Sequence, residues 1–237
     1  MIDRESLRTG AQHFGLSLDE TALERFDRYA EALAETNRHL NLTAITDPEG
    51  IVTKHFLDSL SILSVFEPKQ KARCLDVGTG AGFPGSALLI ARPDLQMTLL
   101  DSTQKKLHFV DSTLQSVGLS ATVLHSRAEE AGQQAEYREQ FDMVTARAVA
   151  NLRELSEYCL PFVKVGGTFI AMKSQKTDEE IAEATAAIHL LGGKIDTIHT
   201  FSLADAGERT LILIKKVSQT PPKYPRPSAK IAKQPLK

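Results

Sequence analysis

In the first quarter of the chain, apolar residues recur at helical steps. Leu23, Phe26, Ala30, Leu33 and Leu40 form one stripe, while Glu24, Arg25, Asp27, Arg28 and Glu31 fill the opposite face. That pattern predicts an amphipathic helix. The run Asn41-Leu42-Thr43-Ala44-Ile45-Thr46-Asp47-Pro48 ends it in a turn. A second helix through Phe56, Leu60 and Leu63 stops before Pro68. Residues 1–70 therefore read as a helical cap.

After Lys71 the texture changes to short β-rich runs alternating with helical stretches. The runs are 73–77, 97–101, 121–125, 141–146, 168–173, 195–199 and 210–216. The first five are spaced widely enough for helical crossovers, which predicts a doubly wound, mostly parallel seven-stranded α/β sheet over 71–217. Residues 201–209 are too few for a crossover, so the last two strands are predicted to form an antiparallel hairpin at the sheet edge. From Pro221 onward, prolines and lysines predict an extended arm outside the core, and 218–237 reads as a basic tail.

Composition narrows the class. The chain has 237 residues, 42% hydrophobic and 24% charged, enough for one sizeable core and few for two. No run approaches the roughly 18 apolar residues of a membrane helix. The N-terminus lacks the apolar segment of a secretory signal, so a cytoplasmic protein with no membrane partner is expected, and it is taken to be a monomer. Cys74 and Cys159 are expected to be buried, reduced thiols. The histidines show no ligand spacing, so no metal is expected. Net charge is −2, yet residues 215–237 carry seven basic residues and no acid, leaving −9 on the remainder. That asymmetry suits an anion-contacting arm and equally suits a solvated terminus.

The chemistry concentrates after the first predicted strand, in Asp76-Val77-Gly78-Thr79-Gly80-Ala81-Gly82-Phe83-Pro84-Gly85. Glycines at a strand–helix junction let backbone turn sharply and approach a ligand. Gly80 to Gly85 spells the dinucleotide fingerprint GxGxxG, but out of register, because that fingerprint should open at the strand end, where Gly78 stands. In register the pattern is GxGxG preceded by an acid. This resembles the first motif of class I S-adenosylmethionine-dependent methyltransferases, whose loop lies under the methionine end of the cofactor. Asp101 ends the second strand, where an acid can accept from ribose hydroxyls, with Ser102 and Thr103 continuing the loop. Ser126-Arg127-Ala128-Glu129 follows the third strand, and Glu129 stands either near an adenine or simply in a helix first turn. The fourth strand ends Thr145-Ala146-Arg147-Ala148, without the Asp/Asn-Pro-Pro motif of amine methylation and without a Pro-Cys nucleophile. Arg147 at that crevice suits a carboxylate or phosphate. No general base is evident, which fits methylation of a nitrogen lone pair by positioning alone.

Several segments in order resemble the bacterial small-subunit rRNA guanine-N7 methyltransferases (RsmG, formerly GidB), over about residues 20–226. They are Asn41-Leu42-Thr43-Ala44-Ile45, Lys54-His55-Phe56-Leu57-Asp58-Ser59-Leu60, the loop 76–85, Thr145–Ala148, Ala171-Met172-Lys173, Glu208-Arg209 and Pro222-Lys223-Tyr224-Pro225-Arg226. The resemblance implies S-adenosyl-L-methionine as cofactor and 16S rRNA or the small ribosomal subunit as partner. It implies a cofactor site at Gly78, Gly80, Gly82, Phe83, Asp101, Ser102, Thr103, Ala128, Glu129 and Arg147. Arg127, Lys173, Arg209, Lys223 and Arg226 are the RNA-facing candidates, with Arg147 and Lys173 as positioning candidates. Asn41, His55 and Asp58 are candidates for the mouth of the site, with a local helix-capping network as the alternative for His55 and Asp58. The chain departs from the family at Thr36, where Trp is usual, at Ser174, where Gly often follows the lysine, and in its diluted tail. Open alternatives are another methyl acceptor, a nicotinamide-linked dehydrogenase disfavoured by the glycine register, and a noncatalytic RNA-binding module.

Overall fold

A computed structural model of the chain describes residues 1–173, 177–204 and 206–236. Seven strands form one sheet: β1 (Arg73–Val77), β2 (Gln96–Asp101), β3 (Thr122–His125), β4 (Phe141–Arg147), β5 (Val163–Lys173), β6 (Gly193–Leu203) and β7 (Gly207–Lys216). Their order is β3-β2-β1-β4-β5-β7-β6. The first five run parallel, while β7 is antiparallel to both β5 and β6. The hairpin expected at the edge is therefore present, with its second strand tucked inside the first. The order reverses beside β1 and β4, which opens a crevice at their C-terminal ends.

Before the sheet come α1 (Arg4–His13), α2 (Glu20–Leu40), α3 (Pro48–Gly50), a π-helical turn (Ile51–Leu57), α4 (Asp58–Leu60) and α5 (Ile62–Val65). Asp3 and Asp19 cap the first two helices, accepting from backbone N–H groups of the first turn. Asn41 ends α2 in the left-handed conformation, with φ 45°. Within and after the sheet lie α6 (Gly85–Ala91), α7 (Gln104–Ser116), α8 (Ala128–Ala131), α9 (Leu152–Cys159), α10 (Asp178–Leu190) and α11 (Ser228–Lys233).

Strand alternation sorts side chains onto two faces. Cys74, Met97, Leu99, Met143 and Ile170 face α6, α7 and the cap, and share one core with Leu23, Phe26, Tyr29 and Phe56. The cap is thus built into the sheet's first face. Leu75, Val77, Val144, Phe169 and Ile212 face α9 and α10 on the other side. Both cysteines are buried free thiols.

The tail corrects its expectation. Tyr224, Ile231 and Leu236 are buried, and Tyr224 and Leu236 join the second core. The physical reason lies in the carbonyls that a proline-rich segment cannot pair within itself. The Arg138 guanidinium donates to the carbonyls of Tyr224 at 2.7 Å and Thr220 at 2.8 Å, and to Pro221 at 3.3 Å. Arg226 meets Glu157, a carboxylate with no exposed surface, through Nε at 2.8 Å and Nη2 at 2.6 Å. Arg226 is thereby a structural clasp, its guanidinium turned inward to Glu157. Lys223 remains exposed, its Nζ 5.2 Å from the Tyr224 ring centroid.

Candidate active site

The glycine loop is held from three sides. Gly78 and Thr79 donate to the Leu100 carbonyl at 2.8 and 3.0 Å. Asp76 is fully buried and accepts from Thr79 Oγ1 at 2.6 Å, from the Gly85 N–H at 3.0 Å and from Thr145 Oγ1 at 3.0 Å. Burial pushes its pKa up, against the three donors that lower it. The acid before the first glycine therefore organises the loop from beneath. Asp101 reaches across from β2: Oδ2 accepts from the Gly80 N–H at 2.9 Å, and Oδ1 from the Thr103 N–H at 2.8 Å.

A cleft of about 260 Å³ opens at the ends of β1, β2 and β3, lined by Gly78, Asp101, Ser102, Ala128 and Glu129 among others. Five of the expected cofactor positions thus converge. Gly78 has φ +70°, and a Cβ there would sit 2.8 Å from Val149 Cγ2, so only bare backbone leaves the cleft open. A backbone-lined floor, the Asp101 carboxylate at the end of β2 beside Ser102, and Glu129 in the first turn of α8 form a donor and acceptor set that fits an adenosyl cofactor. Arg127, expected to face RNA, lines this cleft as well, and so does Ser228 of the tail.

Other expected cofactor positions lie elsewhere. Gly80 and Thr103 serve through their N–H groups on Asp101. Gly82 packs against the Tyr29 hydroxyl and Ser86. Phe83 is buried and stacks on His55, centroids 4.6 Å apart and planes 9° apart, so its ring belongs to the cap interface. The Arg147 guanidinium lies 5.4 Å from the Phe83 centroid and turns away from the cleft. It enters a second cavity.

That cavity, of about 510 Å³, is lined by Lys54, His55, Asp58, Arg147, Lys173, Glu180 and Arg209 together with Ile45, Ala148, Met172 and Thr177. Its floor is one connected network. Arg147 Nη1 donates to Asp58 Oδ2 at 2.8 Å and to the Lys54 carbonyl at 3.0 Å. Arg147 Nη2 donates to His55 Nδ1 at 3.1 Å, and Arg209 Nε donates to Asp58 Oδ1 at 3.0 Å. A guanidinium only donates, so His55 Nδ1 is the bare nitrogen and Nε2 carries the proton. That proton points to Thr43 Oγ1, 2.8 Å away. Burial first, and the Arg147 charge second, push His55 down to about 3 and keep it neutral. His55 and Asp58 thus line the cavity, and their side chains bond Thr43, Arg147 and Arg209 and do not cap a helix. The π-helical turn Ile51–Leu57 presents Lys54 and His55 on one side.

Asn41 is exposed at the helix end and lines neither cavity. Its neighbour Asn37 does the holding, donating from Nδ2 to the Thr43 carbonyl and accepting from the Thr43 N–H, both at 2.9 Å. Sequence reasoning missed Asn37, Tyr29, Glu157 and Glu180, each paired with residues beyond its own helix. Lys173 and Arg209, expected to face RNA, stand in the cavity wall with their ends engaged: Lys173 Nζ donates to the Ala150 carbonyl at 2.8 Å and to Glu180 Oε1 at 2.6 Å. Ser174 lies outside the described residues. Among the described residues, no three His, Cys, Asp or Glu side chains gather as a metal would require.

One loop separates the two cavities. Arg147 and Ala148 line the second, Val149 and Ala150 the first. Ala148 adopts φ +55°, a left-handed conformation that a residue with a Cβ enters only under constraint.

Sheet order and loop placement together define a class I S-adenosylmethionine-dependent methyltransferase fold. Solved structures agree: a putative methyltransferase from Bacillus halodurans superposes with TM-score 0.55 at 15% identity, covering 68% of this chain and 99% of its own. TYW2 of M. jannaschii in complex with AdoMet gives TM-score 0.55 at 11% identity, covering 73% of this chain and 80% of that one. These likenesses concern the fold. A family model described as rRNA small subunit methyltransferase G (GidB) matches residues 22–212, and the chain belongs to that family. It is 46% identical to the ribosomal RNA small subunit methyltransferase G of Lachnoclostridium phytofermentans over 100% of this chain and 98% of the relative. It is 48% identical to that of Acetivibrio thermocellus, over 98% and 96%.

Proposed function

We propose that the protein transfers a methyl group from S-adenosyl-L-methionine to N7 of a guanine in 16S rRNA, on the small subunit or its RNA. The observation that carries this reading is the adjacency of an adenosyl-type cleft and a cation-lined cavity across the single loop 147–150. When bound, the cofactor supplies a methyl group activated on a sulfonium. Gly78, Asp101, Ser102 and Glu129 would hold it, with Ser228 closing one side. The acceptor enters the second cavity, where Lys54, Arg147, Lys173 and Arg209 offer positive charge for RNA phosphate or base oxygens.

The state of the floor favours an acceptor that already carries a lone pair. His55 Nδ1 is engaged by Arg147, and each oxygen of Asp58 receives an arginine. Neither group is free to take a proton. Guanine N7 has an in-plane lone pair and no proton, so the site needs only to orient it for in-line displacement. Among the described residues no helix is long and apolar enough to cross a membrane, and a cytoplasmic location accords with a ribosomal substrate.

The test is methyl transfer from labelled S-adenosylmethionine to ribosomal subunits and RNA from cells lacking this protein, with the nucleotide identified by digestion and mass spectrometry. Label on guanine N7 of 16S rRNA is expected. Label on another nucleotide, or none despite cofactor binding, overturns the assignment.

A further inference from the structure

The second cavity contains two carboxylates in different states. Asp58 has both oxygens engaged, with one arginine on each. Glu180, in the first turn of α10, has only one oxygen engaged. Its Oε1 accepts from Lys173 Nζ at 2.6 Å and from the Leu152 N–H, which opens α9. Two donors on one oxygen pin the side chain. Oε2 accepts no hydrogen bond among the described residues, and Glu180 lines the cavity.

An anchored acceptor among donor-only side chains has a restricted choice of ligand edge. Lysine and arginine donors suit phosphate, carbonyl oxygen and bare ring nitrogen, and reject N–H groups. Among the described carboxylate oxygens of the cavity, Glu180 Oε2 is the one that accepts no hydrogen bond, and so the one open to an N–H edge. Of the common bases, guanine carries two adjacent donors, the ring N1–H and the 2-amino group, on the edge remote from N7. Adenine presents a bare nitrogen at N1, which a carboxylate repels. Ile45 and Met172 supply apolar surface for the ring faces, as a base taken out of its stack requires.

Resting on the acceptor reading above, we propose that Glu180 Oε2 selects the target base by accepting from the N1–H and 2-amino edge of guanine, leaving N7 free at the opposite edge. Lys173 then acts as a positioning residue. It fixes Glu180 and, through the Ala150 carbonyl, ties that reader to the loop between the cavities.

Glu180→Gln separates this role from a structural one. The amide keeps an oxygen for Leu152 and Lys173, and turns the free acceptor into an N–H donor. Single-turnover transfer is measured on RNA carrying guanine or inosine at the mapped target, inosine lacking only the 2-amino group. The native enzyme is expected to favour guanine about tenfold or more. In Glu180→Gln that preference should vanish or invert, with cofactor affinity by calorimetry unchanged. Equal rates on both bases for the native enzyme, or an undiminished guanine preference in the variant, overturn the proposal. Failure of the native enzyme to methylate any 16S rRNA guanine is a different result; it removes the functional reading on which this one rests.

Discussion

The hydroxyl of Tyr29, in the middle of α2, donates a 2.8 Å hydrogen bond to the carbonyl of Ala81 inside the glycine loop. It also lies 3.2 Å from Ser86 Oγ, and it occupies the space that a side chain on Gly82 would need. Tyr29 has no exposed surface, and burial pushes its phenol above the usual range, so it stays a neutral donor. The cap therefore sets the position of cofactor-loop backbone across 52 residues of chain. Removing the hydroxyl in Tyr29→Phe is expected to cost about 1–2 kcal/mol of stability. It should also weaken S-adenosylmethionine binding several-fold in calorimetric titration. A destabilised variant with native cofactor affinity would confine the contact to a structural role.

Gly78→Val tests the cleft itself. The backbone there is left-handed, and a Cβ would meet Val149 at 2.8 Å. Strain of about 1–3 kcal/mol combines with a filled cleft floor, so cofactor binding should fall below detection while the fold persists. Undiminished binding would place the cofactor elsewhere.

Asp58 carries the opposite prediction, loss of transfer with cofactor binding retained. It is the shared counter-charge of Arg147 and Arg209, whose side chains are only 17% and 14% exposed. In Asp58→Asn both guanidinium groups lose their counter-charge, a change expected to destabilise by about 3 kcal/mol. Arg147 should leave its place above Phe83, and methyl transfer should drop by at least about tenfold. Native cofactor affinity with native transfer rate would show the cavity floor to be irrelevant to the reaction.

Features decided within a short window were legible in the sequence. Strand β1 was delimited to the residue at 73–77, because an apolar run between Lys71 and a glycine loop leaves little freedom. The edge hairpin followed from a connection too short for a crossover. The order β5-β7-β6 was not legible, since which hairpin strand meets β5 depends on partners far along the chain. The convergence of Gly78, Asp101 and Glu129 was legible because Gly78 and Asp101 sit at strand ends and Glu129 opens the short helix that follows β3. Their division of labour was not: nothing local shows that Arg147 turns to a carboxylate 89 residues away. Nor does composition show that Arg226 closes on a buried glutamate. A basic side chain near a ribosomal enzyme's site reads as RNA-facing until its acidic partner is located.

His55 makes stability pH-dependent with a definite sign. Its folded pKa lies near 3 and its unfolded value near 6.5. Between those values the unfolded chain binds a proton that the folded chain refuses. The contribution is fully present above pH 6.5 and is lost as pH falls toward 3, at up to about 1.4 kcal/mol per unit. His55→Gln can keep an acceptor for Arg147 and a donor for Thr43 without titrating. Its melting temperature should therefore fall less steeply than the native one between about pH 6.5 and 4.5. Parallel profiles would mean that His55 is charged in the fold.

Deleting residues 218–237 distinguishes a free arm from a built-in element. A detached arm would be lost with reduced RNA affinity alone, as the basic, proline-rich composition implies. Here the tail buries Tyr224 and Ile231, occupies Arg138, neutralises Glu157 and lends Ser228 to the cleft beside Gly78, the proposed cofactor site. Truncation is thus expected to lower both the melting temperature and S-adenosylmethionine affinity. Arg226→Ala isolates one part of this, since Glu157 would be left buried without its cation, at about 3–5 kcal/mol. Arg226→Lys should recover only part of that loss, because a single ammonium cannot reproduce the two-pronged contact. A truncated chain that melts with the full-length protein and binds cofactor equally well would return the tail to the status of an arm. The exposed Lys223, Lys230 and Lys233 would then be the residues to examine for RNA binding.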